Sequence, residues 1–153
     1  MMKPSVSAPT VKDLYDQDFV EWTVCNAELL RAGRFDEADI ERIAEELEDM
    51  GKRERHELAS RIRVLLTHLL KWQVQTERRS GSWKATIDTQ RKDLSSLLQQ
   101  MPSLFIALQE SLPEVFERAV TKAVGETGLP KSTFPAASPF QLEQILDTGF
   151  LPC

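Results

Sequence analysis

Residues 37–78, EADIERIAEELEDMGKRERHELASRIRVLLTHLLKWQVQTER, decide the fold of this chain. Ile40, Ile43, Leu47, Met50, Leu58, Ile62, Leu65, Leu69 and Trp72 recur there at the three- and four-residue steps that place side chains on one face of an α-helix. Asp36 can cap the start, with Asp39 at the third position. Gly51 interrupts the stripe. A continuous helix over the whole stretch would extend ~63 Å at ~1.5 Å per residue. A compact chain of this size has a radius of gyration of only ~15 Å. Either the helix bends or breaks near Gly51, where glycine costs ~1 kcal/mol relative to alanine, or the molecule is elongated and a partner covers its projecting half. A bend or break is the reading we prefer.

Start and stop signals divide the rest into further helices. Thr10 and Asp13 form an N-terminal box, and Tyr15, Phe19, Trp22, Cys25, Asn26, Leu29 and Leu30 follow at helical spacing. Gly33 then supplies a left-handed stop, which predicts a first helix over 11–32. A third helix is expected over 82–101, capped by Ser82 and closed by Pro102. A fourth region, 103–126, meets Pro113, which costs ~3 kcal/mol inside a helix. Ser111 and Glu114 have capping-box spacing, so a break with a fresh start is expected there. After Gly128 come prolines and isolated large apolar residues, with a short helix expected from Ser138-Pro139 to about Asp147. These signals predict an all-α fold: one helical domain over 1–153, a bundle of four principal helices, a flexible start over 1–9, and a C-terminal strap over 128–153 packed on the bundle.

Composition agrees with a globular chain. Of 153 residues, 41% are apolar and 28% charged, enough to bury a core. No run of 18 apolar residues occurs, and Met1-Met2-Lys3-Pro4-Ser5-Val6 lacks the apolar block of a secretory signal, so no membrane association and a cytoplasmic location are expected. Cys25 falls at an apolar helix position and Cys153 at the last residue, which argues against a disulfide framework. The net charge of −5 hides an asymmetry. Residues 1–50 hold 5 basic and 13 acidic side chains (−8), residues 51–92 hold 11 and 4 (+7), and residues 93–153 hold 3 and 7 (−4).

A set of motifs then carries a resemblance. Leu14-Tyr15, Asp18-Phe19 and Trp22, Glu45-Glu46-Leu47-Glu48 with Met50-Gly51, His68-Leu69-Leu70-Lys71-Trp72, Ser82-Trp83, Pro102-Ser103-Leu104 and Ile145-Leu146-Asp147 together resemble the bacterial family catalogued as domain of unknown function 29. The resemblance spans nearly the whole chain and implies a helical fold and a bacterial origin, with no activity attached. The family's closing segment often resembles Cys-Pro followed by an aromatic residue. This chain has Ser138-Pro139-Phe140 instead, so no redox or metal role carries over to Ser138.

Polar residues within apolar stripes are the candidate binding positions. His68 lies one turn from Leu65 and Trp72, as a satisfied structural histidine or a proton-transfer group. Arg91 falls between Ile87 and Leu94 and needs acceptors if buried. The acidic cluster of Glu45, Glu46, Glu48 and Asp49 offers an ion pair that would fix helix register; an anion pocket is the alternative. Trp72 and Trp83 flank a turn, either as a hydrophobic clasp or as an aromatic wall of a ligand pocket. Tyr15, Asp18 and Trp22 face the same choice.

Catalytic and metal templates fail specific tests. Di-iron bundles use Glu-x-x-His, yet Arg53 precedes His56 and Leu65 precedes His68 at that step. No His-Glu-x-x-His, paired cysteines, phosphate-binding glycine loop or Gly-x-Ser-x-Gly elbow occurs. No cofactor or metal is expected. The reading that follows is an interaction or structural module with a protein partner, or a homodimer in which two antiparallel copies of the long helix set acidic start against basic end. One alternative is an enzyme or anion-binding protein with a pocket near His68 and Arg91. Another is nucleic-acid binding through 51–92, against which stand the pI near 5.1 and the spread of Arg53, Arg55, Arg61 and Arg63 around the helix.

Overall fold

Helices account for every regular element of the described residues, 7–153, in this computed structural model. In chain order they are α1 (Val11–Gln17), α2 (Phe19–Arg31), α3 (Ile40–Val74), α4 (Gly81–Gln100), α5 (Leu104–Thr127) and α6 (Leu142–Leu146), with single 3-10 turns at Thr76–Arg78 and Lys131–Thr133. The all-α expectation therefore stands. The flexible start expected over 1–9 falls mostly outside the described residues.

The single helix expected over 11–32 is two. Asp18 leaves helical geometry at φ −152° and ψ 90°, donates its backbone N–H to Leu14 to close α1, and accepts from the Glu21 N–H at 3.0 Å to open α2. One residue thus serves both ends, its backbone N–H closing α1 and its carboxylate opening α2. The Thr10–Asp13 box and the left-handed Gly33, at φ 72°, are present as expected.

Four other boundaries differ. No break occurs at Gly51, since α3 is helical from Ile40 to Val74. Pro113 lies inside α5 rather than at a fresh start. Pro113 and Gln109 are both exposed, so the carbonyl that loses its helical donor can be met by water, and the penalty expected of a buried proline does not apply. Ser80, not Ser82, caps α4 by accepting from the Trp83 N–H at 3.2 Å. The short helix expected from Ser138-Pro139 also starts later: Ser138 instead accepts from the Phe140 N–H in a turn, and α6 begins at Leu142 behind a Gln141–Gln144 box.

The chain groups into two compact units that divide between Gly51 and Lys52. The C-terminal unit holds the main apolar core: Leu58, Ile62, Leu65, Leu66, Leu69 and Leu70 of α3 with Ile87 and Leu94 of α4 and Leu108, Phe116, Ala119 and Val120 of α5. The strap closes this core with Phe134, Phe140, Leu142 and Ile145. Among the described residues of the N-terminal unit the buried ones are instead Trp22, Asn26, Ala38 and Asp39, three of them with polar atoms to satisfy.

Candidate functional site

The N-terminal unit is built on a polar knot. Trp22 donates its indole N–H to Asp39 Oδ2 at 3.1 Å, Asn26 Oδ1 accepts from the Asp39 backbone N–H at 2.9 Å, and Asn26 Nδ2 donates to the Trp22 carbonyl at 2.8 Å. Tyr15 donates to Glu46 Oε1 at 2.6 Å beneath the Arg42 guanidinium, which lies 4.3 Å from its ring centroid. That bond to a carboxylate raises the Tyr15 pKa above its ordinary value, with desolvation and the charge of Glu46 adding to it. Asp39, Arg42 and Glu46 recur at steps of three and four, so the face of α3 turned to α1 and α2 is its polar one.

The apolar face of the same half is consequently left uncovered. Ile40 is 46% exposed, Leu47 62% and Met50 56%, and Ile43 between them is half-buried. The steps 40, 43, 47 and 50 are those of a heptad seam, the pattern two helices use to pack together. Glu41 and Glu48, both exposed, stand beside Ile40 and Leu47. Phe19, Val20 and Val24 of α2 add further exposed apolar surface to this unit. Of the acidic pair proposed as binding positions, Glu46 is spent on Tyr15 and Glu45 is exposed.

The other candidates lie in the C-terminal unit, each with contacts of its own. Arg91, 1% exposed, donates from Nε to the Ile145 carbonyl at 2.9 Å, from Nη1 to Phe150 at 2.7 Å and from Nη2 to Gln144 at 3.2 Å. Its role is to gather the backbone of the strap, in place of the expected ion pair with the acidic cluster. Burial pulls the guanidinium below its ordinary pKa, partly offset by Asp147 and Asp88. His68 is half-buried, with Nδ1 2.8 Å from the Val64 carbonyl one turn back. Trp72 and Trp83 each meet a cation: Arg79 lies 5.2 Å from the Trp72 ring, and Lys71 lies 4.6 Å from the Trp83 ring while it pairs with Glu126 at 3.1 Å.

A groove between α3 and α5 went unnoticed in the sequence. His56, Ser60 and Arg63 face Ser111, Val115 and Arg118 across it, each trio at steps of three and four. No group of three or more potential metal ligands occurs among the described residues. No helix among them is long and apolar enough to cross a membrane.

The fold thus defines an all-helical protein with an apolar core in one unit and an uncovered apolar stripe in the other. The chain belongs to the family described as Domain of unknown function DUF29, which it matches over residues 14–151. No curated protein and no solved structure matches it.

Proposed function

We propose that the protein is a cytoplasmic interaction module whose N-terminal unit docks a basic amphipathic helix of another protein. The exposed heptad stripe of Ile40, Leu47 and Met50 carries this reading. Side chains about half exposed, as these are, gain about 1–1.5 kcal/mol each when a partner covers the rest. The acidic edge of Glu41 and Glu48, in a segment of charge −8, selects Lys and Arg on the incoming helix.

A second copy of the chain fits less well. Its equivalent stripe brings the same acidic edge, and like charges repel. Its basic stretch offers no free apolar seam, because Leu58, Ile62, Leu65 and Leu69 are at most 2% exposed in their own core.

Calorimetric titration with a synthetic Leu/Lys amphipathic peptide tests the reading, against a Leu/Glu peptide of the same apolar pattern. Saturable binding of the first alone, lost in Leu47→Asp, is expected. Binding of both peptides alike would overturn the charge argument. A sedimenting dimer abolished by Leu47→Asp would replace the foreign helix with a second copy.

A further inference from the structure

We infer that the groove between α3 and α5 is a binding site for a small organic anion, with a phosphate or carboxylate head on a short apolar body. Two adjoining cavities, of about 220 and 180 Å³, share His56, Ala59, Val115 and Arg118. Leu58, Ala59, Ala107 and Val115 give the larger one an apolar floor. Arg63 and Arg118 line these cavities against a single carboxylate, Glu114. Two guanidinium groups against one carboxylate favour an anion there, in a chain of net charge −5.

Arg63 supplies the pointed observation. Its Nε is buried and has no hydrogen-bond acceptor among the described residues. Buried guanidinium donors are normally satisfied, and a planar guanidinium matches the two oxygens of a carboxylate or phosphate. Arg118 now holds Glu114 at 2.7 Å in a pair whose side chains are 64% and 68% exposed. Exposed pairs of this kind are weak, so a buried anion can displace Glu114. Ser60 adds a hydroxyl that can donate to the same head. A nucleic acid would need a broad basic surface; a confined groove with an apolar floor suits a small molecule. The inference is independent of the docking face, which lies in the other unit.

The test is an NMR titration of the whole chain with phenyl phosphate, benzoate, inorganic phosphate and neutral benzyl alcohol, read at the arginine Nε–H resonances. Phenyl phosphate or benzoate should shift Arg63 saturably at millimolar concentration and bind more tightly than inorganic phosphate, and the tighter of the two names the head group. Arg118→Gln, at an exposed position that the fold does not need, should weaken binding about tenfold or more. Ala107→Phe should weaken the organic anions by filling the floor and leave inorganic phosphate unaffected. No saturable shift, an equal shift with benzyl alcohol, equal affinity for inorganic phosphate, or unchanged binding in Arg118→Gln would each overturn the site.

Discussion

The two halves of α3 carry the same apolar spacing and meet opposite fates. From Leu58 to Leu69 the stripe is sealed in a core of helices and strap. From Ile40 to Met50 it faces outward, while Asp39, Arg42 and Glu46 on the polar face make the packing contacts. The difference lies in what the neighbouring helices offer. The helices and strap around the second half present Ile87, Leu94, Phe116 and Ile145, which have only apolar surface to bury. Those beside the first half present Tyr15, Trp22 and Asn26, whose hydroxyl, indole and amide demand polar partners. Periodicity marks a face that is suited to burial, and the chemistry of the neighbour decides which face the fold itself buries.

Arg91→Met breaks the covered half at its strap. It leaves the carbonyls of Gln144, Ile145 and Phe150 without their donor, and the strap they belong to carries Ile145 in the core. A loss of about 3 kcal/mol in urea denaturation is expected, with faster proteolytic cleavage after residue 128. Asn26→Ala breaks the polar face of the other half by stripping partners from the Asp39 N–H and the Trp22 carbonyl. About 1–2 kcal/mol is expected there, measured the same way.

The mildest change sharpens the comparison by pH. Tyr15 is the only tyrosine of the chain, so phenolate absorbance reports it alone. Its folded pKa lies above the unfolded value because Glu46 accepts its proton. The stability it lends is therefore full below the unfolded pKa and lost as pH rises through the folded one. Glu46→Gln should lower the titration midpoint toward that of free tyrosine; an unchanged midpoint would mean that the hydrogen bond does not hold in solution.

Much of the fold was legible because caps and glycines act locally. Thr10, Gly33, Pro102 and Gly128 mark ends that the structure keeps. The Asp18 junction was written in Asp18-x-x-Glu21, yet apolar spacing running across it hid the signal. Gly51 and Pro113 misled because glycine and proline penalties are averages, and a solvent-facing carbonyl or a strong flanking helix absorbs them. At the candidate sites, the free stripe was visible as spacing, but its exposure depended on the Trp22–Asp39 knot, which joins residues in different helical signals. The trio of His56, Ser60 and Arg63 was readable as one helix face; its partner face on α5 was hidden by the expected break at Pro113.

The contrast between the halves is tested most directly by calorimetric melting of Leu47→Asp beside Ile62→Asp. Ile62 is fully buried and Leu47 62% exposed, one on each half of the same helix. A carboxylate at position 62 should abolish cooperative unfolding of the C-terminal unit, since burying an unpaired charge costs several kcal/mol. At position 47 it should leave the midpoint unchanged within about 0.5 kcal/mol. Destabilisation of Leu47→Asp comparable to that of Ile62→Asp would contradict a free docking stripe and mean that the first half is core as well.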